Sequence, residues 1–389
     1  MTSRRRDRRR RPSKSAATAE LSAEALGAPP SQFSVLLKVL SAALSGGLVV
    51  LLIAVIIPAL GDLSGVWSAI KSIPLTTLAW FLVVALVIRV LLAGSYNTLM
   101  PGLSLTRSLI AREAASAVGN VVPGPSSTAT QYVILRSWGV STDDFAGATI
   151  TVSLLTNVLV FSAPGAFFVV WTLLGMPTSG GNDNVWLFGL IAVVTSVLAV
   201  GLVVAVGSSE RLAAIVGRTG QGLVNPLRRL FRKEPVTDGA ERCVALRADT
   251  LHRVKDHGTI LLGCIAGSYL LNGVLLVSCL WASGISSSDL ALSLGLLLYS
   301  VGRIATVISI TPGGVGVAEV AYTAVYVAVL GESALNRVVA GVLLYRAFTY
   351  LLPMFTGAFC YVLWRIMKRR ERHPANHLPG DGPEAVDLG

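Results

Sequence analysis

The stretch Thr311-Pro312-Gly313-Gly314-Val315-Gly316-Val317-Ala318-Glu319 lies in the middle of an apolar segment running from Asp289 to Leu330. Proline ends a helix and removes a backbone donor, while glycines let the chain turn tightly beside another group. The segment therefore reads as two short helical pieces with a break between them. A second break, Pro123-Gly124-Pro125, interrupts the apolar segment from Leu105 to Trp138. Pro123-Gly124 followed by Ala129 and Pro312-Gly313 followed by Ala318 share the same offsets, with Tyr132 and Tyr322 close to register. This is a faint internal repeat.

Around the two breaks lie six uninterrupted apolar runs: Val39 to Leu60, Leu75 to Leu92, Ala148 to Leu174, Val185 to Val206, Thr259 to Trp281 and Val338 to Trp364. Each is long enough for roughly 30 Å of hydrocarbon at about 1.5 Å per helical residue. The chain of 389 residues is 53% hydrophobic and 14% charged, with a mean hydropathy of +0.68. A soluble domain carries about 25% charged residues, so soluble enzymes and free nucleic-acid binders fit poorly. The expected fold is an all-α polytopic membrane protein with six full spans, two broken or re-entrant segments and an inverted-topology repeat.

Lys and Arg are retained in short loops on the cytoplasmic side. Of 32 such residues, about 26 fall in the N-terminal tail, the stretch holding Arg107, Arg112 and Arg136, the loop from Ser208 to His257, and the tail from Arg365; the opposing loops hold only Lys71 and Arg337. Both termini are expected in the cytoplasm, in a multi-pass protein of the cell membrane. By parity, the segment 105–138 enters and leaves from the cytoplasm, and 289–330 from the other face. Opposed broken elements are what an inverted repeat produces, and such repeats place a transport site where discontinuous helices meet near the midplane.

The chain divides into a basic, disordered tail (1–34), a first membrane half (35–207), a basic cytoplasmic loop (208–258), a second half (259–364) and a tail (365–389). In the loop, the Gly/Pro-rich stretch from Gly217 to Pro235 reads as a linker, with a helix at Ala240 to Asp256 lying on the anionic leaflet. It lacks aromatic stacking residues apart from Phe231, so no nucleic-acid partner is expected.

Ionisable residues at membrane depth cost about 2.5–3.5 kcal/mol on insertion scales and are candidates for function. Arg303, Glu319 and Arg346 qualify; Arg89, near the inner end of its run, can snorkel to the interface. Arg112-Glu113 reads as an interfacial pair. Past the Pro-Gly-Gly turn, unpaired N–H groups at a helix start can receive a phosphate oxygen. Two readings stand for Glu319: a residue of the cavity, or a helix-capping carboxylate paired to Arg303 or Arg346. Around the first break, Asn120, Ser126, Ser127 and Thr128 either solvate a headgroup or recap the interrupted backbone. Cysteines 243, 264, 279 and 360 and the four histidines show no metal-ligand spacing. No nucleophile-base pair or phosphate loop occurs, Asp143-Asp144 reads as a helix start, and neither a cofactor nor a catalytic residue is expected.

Arg303-Ile304-Ala305-Thr306 running into Ile310 to Glu319, Tyr345-Arg346, and Asn120-Val121-Val122-Pro123-Gly124 leading to Leu135-Arg136-Ser137-Trp138-Gly139 resemble the lysylphosphatidylglycerol synthase transmembrane-region family, also called the flippase-like domain family. The resemblance covers roughly Val39 to Trp364. Many members continue the first Pro-Gly element into an Arg and a Gly-Glu pair, where this chain has Pro125-Ser126-Ser127-Thr128, so no charged site residue carries over into the first half. It looks like an actinobacterial-type stand-alone member: 25 residues follow the last span, with no room for an aminoacyltransferase domain.

The resemblance implies movement of a phospholipid or polyprenyl-linked lipid across the bilayer. The headgroup cavity is expected from Arg303, Pro312, Gly313, Gly314, Gly316, Glu319 and Arg346, with Asn120, Ser126, Ser127 and Thr128. Arg303 and Arg346 would hold phosphate, with Glu319 balancing them or contacting an amine. The competing class is a membrane enzyme or accessory subunit that handles a lipid-linked sugar without translocating it. Membrane lipids are the expected partners, a lipid-modifying enzyme is a further candidate, and the sequence sets no oligomeric state.

Overall fold

The structure, a computed structural model, describes residues 71, 73–122, 125–173, 183–230, 234–235, 237–308 and 311–372. The first expected run, Pro123-Gly124, the N-terminal tail and the C-terminal tail beyond Arg372 lie outside these residues. The described chain is helical, with no strand. Its helices are α1 (Leu75–Leu99), α2 (Leu105–Val121), α3 (Ser126–Arg136), α4 (Thr142–Leu173), α5 (Asp183–Ser208) and α6 (Glu210–Leu230). There follow α7 (Gly239–Ala282), α8 (Leu292–Ala305), α9 (Val317–Leu330), α10 (Leu335–Arg346) and α11 (Leu352–Arg372).

Five helical stretches are long and apolar enough to cross a membrane: Leu75–Leu99, Thr142–Leu173, Trp186–Ser208, Gly239–Ala282 and Glu332–Glu371. They coincide with five of the six runs read from the sequence. Their outward faces are apolar, as with Leu198 (68% exposed) on α5 and Phe355 (75%) on α11, a pattern that a bilayer satisfies and water does not. The protein is an all-α, multi-pass membrane protein.

The broken segments are helix pairs, α2–α3 and α8–α9. At 14 residues each, α8 and α9 rise about 21 Å, too short to cross the hydrocarbon alone. The pairs enter from opposite ends. Arg253 Nη1 on α7 donates to the Leu99 carbonyl just before α2, at 3.3 Å, whereas α8 follows the far end of α7 at Ala282. Along a helix those two points are about 40 Å apart. The end marked by Leu99 also holds Arg107 paired to Glu371, Trp364 Nε1 donating to Ser137 Oγ, and Arg247 Nε donating to the Val206 and Gly207 carbonyls. The other end gathers Trp171 against Trp186 and Arg337 against the Gly284 carbonyl.

The segment after Ser208 differs from the linker read in sequence. Helix α6 runs through Gly217, Gly220, Gly222 and Pro226, and Ala240 to Asp256 is the first part of α7 rather than a separate surface helix. Packing overrides propensity here. A side chain at Gly217 would collide with the Gly239 carbonyl, so the glycine lets the two helices meet backbone to backbone, and Gly239 N–H donates to Gln221 Oε1 at 3.2 Å. Asp143-Asp144 does start a helix. Ser141 Oγ accepts from Asp144 N–H at 3.0 Å and its hydroxyl donates back to Asp144 Oδ2 at 2.6 Å, a reciprocal cap.

Candidate functional site

The Pro-Gly-Gly turn is held by one carboxylate and one guanidinium. The 3-10 turn Pro312–Gly314 passes Gly313 at φ 58°, then Gly314 at 71° and Gly316 at 85°, a left-handed region open to glycine at little cost. Glu319 Oε2 accepts the Gly316 N–H at 2.8 Å, satisfying a donor left unpaired at the start of α9. Its other oxygen accepts from Arg346 Nε at 2.8 Å, and Arg346 Nη2 donates to the Gly313 carbonyl at 2.8 Å. Both side chains are largely withdrawn from water, 14% and 15% exposed. Glu319 is thus the capping carboxylate of Arg346, not of Arg303.

The first break meets this turn. A side chain at Gly313 would strike the Tyr350 ring and come within 3.1 Å of Asn120 Oδ1. Asn120 Nδ2 donates to the Tyr350 carbonyl at 3.0 Å and its own carbonyl accepts from Tyr350 Oη at 3.0 Å. Tyr350 belongs to a widened π-turn, Ala347–Leu351, between α10 and α11. Such a turn changes the backbone pairing of its residues, and π-turns recur at functional sites. One carbonyl there, Thr349, accepts from Arg89 Nη2 at 3.1 Å.

Beside the turn is a cavity of about 300 Å³ lined by Arg89, Arg112, Arg303 and Arg346 together with Asn272, Thr306, Gly313, Gly314, Tyr322 and Tyr345. All four arginines keep partial exposure although they lie between helices. Arg89 is ten residues from the Leu99 end of α1, and Arg303 and Arg346 are each eleven residues from the opposite-end starts of α8 and α10. At the helical rise these distances are about 15 and 16 Å. They are nearly equal, so the cavity lies about halfway between the two ends of the helical bundle.

Only Arg346 among the four has a carboxylate within ion-pair distance in the described residues. Arg112 lies over the Tyr96 ring with Cζ at 5.4 Å from its centroid. Arg303 is surrounded by Tyr269, Tyr299, Tyr322 and Tyr345, whose rings form a continuous row with centroid spacings of 5.3–5.9 Å. Arg89 Nε and Arg112 Nε are buried without an acceptor in the described structure. Unsatisfied buried donors cost free energy unless something fills the role of acceptor.

Of the residues singled out in sequence, Arg303, Gly313, Gly314 and Arg346 line this cavity, Pro312, Gly316 and Glu319 shape its turn, and Asn120 abuts it. Ser126, Ser127 and Thr128 do not reach it. Ser126 Oγ donates to the Val122 carbonyl at 2.6 Å, recapping the broken backbone. Ser127 packs on Gly119, and Thr128 lies on a separate groove beside Tyr132 and Phe145.

Sequence reading placed Arg89 at the interface because hydropathy falls away after Leu92. The helix instead continues through Ser95-Tyr96-Asn97-Thr98, whose hydroxyls Ser95 and Thr98 bond back to the Leu92 and Gly94 carbonyls. Arg112-Glu113 is likewise not an interfacial pair. Arg112 faces the cavity, whereas Glu113, 3% exposed, accepts from Thr356 Oγ1 at 2.7 Å. Asn272, an amide inside an apolar run and the acceptor for Tyr345 Oη at 3.2 Å, was the overlooked signal.

Fold and cavity together define a multi-pass helical membrane protein with a cationic chamber where two opposed broken helix pairs meet. The family model for the lysylphosphatidylglycerol synthase TM region matches residues 38–357, and the chain belongs to that family, which ties it to the handling of lipids in membranes. No curated protein matches it.

Proposed function

We propose that the protein lowers the barrier for passage of an anionic lipid headgroup across the cell membrane, holding the phosphate in the midplane cavity while the acyl or prenyl chains stay in the bilayer. The observation that carries this reading is the convergence of Arg89, Arg112, Arg303 and Arg346 on one water-accessible space, three of them with no carboxylate within ion-pair distance among the described residues. A guanidinium presents a fixed fork of donors that matches phosphate oxygens. Placed in the middle of a membrane, three such groups are costly unless an anion visits them. Arg346 is fastened to the turn by Glu319 and positions it; Arg303, Arg89 and Arg112 are the contacts offered to the headgroup. The concentration of basic residues at the Leu99 end supports reading that end, and both termini, as cytoplasmic.

The test is reconstitution of the purified protein into liposomes carrying a headgroup-labelled anionic phospholipid. Label on the inner leaflet should become accessible to an external quencher several-fold faster than in empty liposomes. Rates equal to those of empty liposomes, for anionic phospholipid and polyprenyl-phosphate probes alike and with the protein shown folded, would favour a membrane enzyme or accessory subunit that binds the lipid without moving it.

A further inference from the structure

The charge around the cavity identifies the kind of phosphate it is built to receive. Among the described residues, the cavity wall carries four guanidiniums, Arg89, Arg112, Arg303 and Arg346, and no carboxylate. Two carboxylates stand directly behind it. Glu319 is bonded to Arg346, and Glu113 is buried close to Arg89, with Oε2 taken by Thr356 and Oε1 without a partner. The remaining polar lining is neutral: Asn272, Thr306, Thr349 and the hydroxyls of Tyr322 and Tyr345. Four positive against two negative charges leaves a formal excess of two, in a space where water and salt screen less than at the surface.

A phosphodiester such as the headgroup linkage of phosphatidylglycerol brings one negative charge and leaves one guanidinium unmatched. A phosphate monoester, doubly ionised above its second pKa of about 6, or a diphosphate brings at least two. Uncompensated buried charge is what makes a low-dielectric site unfavourable, so matching the excess is worth more than any one added hydrogen bond. Size agrees. About 300 Å³ is at the low end for small-molecule pockets, which run from about 300 to 1,000 Å³, and it accommodates one or two joined phosphates with few further atoms. The donors also come from three sides, α1 and α2, α8, and the end of α10, as a tetrahedral group with several free oxygens requires.

We infer that the cavity selects lipid headgroups ending in a phosphomonoester or diphosphate, with two or more negative charges, over singly charged phosphodiesters. This rests on the reading of the cavity as a headgroup site and adds the class of headgroup.

The experiment is a binding comparison on the purified full-length protein at pH 8, using dodecyl phosphate and farnesyl diphosphate as dianionic lipid probes. Dihexanoyl phosphatidylglycerol serves as the phosphodiester, a short-chain phosphatidylcholine as the zwitterion and inorganic pyrophosphate as the free anion. The dianionic lipid probes should bind at least tenfold more tightly than the phosphodiester. They should also outbind pyrophosphate, which has no chain to lie in the bilayer; the reverse order would assign the site to a soluble phosphate and overturn the lipid part of the inference. Arg303→Gln removes one of the two excess charges and should narrow the preference to within about threefold, chiefly by weakening the dianions. Arg112→Gln, on a different helix, should do the same and serves if the first variant does not fold; if neither folds, the wild-type ranking alone decides. A phosphodiester that binds as tightly as the dianions would overturn the inference while leaving the headgroup site standing. Anionic probes that bind no better than phosphatidylcholine would remove the headgroup site itself.

Discussion

Glu319 and Arg303 are both ionisable residues inside the helical bundle, yet their surroundings set opposite consequences for losing them. Glu319 commits both oxygens, to the Gly316 N–H and to Arg346. Removing it strands a buried guanidinium and a helix-start donor, and breaking a buried pair from one side costs about 3–5 kcal/mol. Arg303 has no such partner, and truncating it relieves a desolvated charge. Glu319→Ala should therefore lower the stability of the purified protein by about 3–5 kcal/mol in denaturant titration, while Arg303→Gln should change it by less than about 1 kcal/mol. Equal destabilisation in both would make Arg303 part of the same structural network. Depth in the membrane was enough to single out Arg303, Glu319 and Arg346 from sequence. It was not enough for Arg89, whose helix continues past the apolar run on side-chain hydroxyls that bond back to their own helix, nor for Arg112, which sits in α2 at a depth that only the fold reveals.

At the level of elements, the two Pro-Gly breaks were legible because proline and glycine act locally, through φ and a missing donor. What covers a break is a tertiary matter. Nothing local distinguishes Asn120, which bonds across 230 residues to Tyr350, from Ser126, which bonds four residues back. The same limit explains α6: its glycines looked like linker residues, and only the backbone of α7 beside Gly217 gives them a packing role. The turn itself makes a strict demand. A methyl group at Gly313 meets the Tyr350 ring and Asn120 Oδ1, in a backbone region unfavourable for L side chains. Gly313→Ala should cost about 1–3 kcal/mol, seen as a lowered melting temperature. Because Arg346 bonds to the Gly313 carbonyl, the same change should disturb lipid movement. The equivalent change at Gly331, where φ is 86° but nothing lies within 4 Å, should cost stability through strain alone and leave transport intact.

For the whole molecule, hydropathy gave the order of the five spans that the structure describes, the first expected run lying outside the described residues, and charge parity gave the opposed entry of the broken pairs. The structure gives the same arrangement independently, since Arg253 at one end of α7 bonds to Leu99 while α8 begins beyond the other end. A cysteine placed at exposed Ser286 in a cysteine-free background should react with an impermeant maleimide in intact cells, and one at exposed Thr237 should react only after permeabilisation. Labelling at both positions in intact cells would contradict the orientation.

The central claim is that the cavity arginines with no carboxylate within ion-pair distance among the described residues are what let a charged headgroup cross. The most direct measurement compares wild-type protein and Arg303→Gln in liposomes at matched protein density and matched melting temperature, following an anionic and a zwitterionic headgroup-labelled lipid in parallel. The account predicts that the variant loses at least tenfold in the rate for the anionic lipid. The zwitterionic rate, which lacks net charge to match, should change far less. An anionic rate unchanged by the loss of Arg303, in a folded protein, would contradict it.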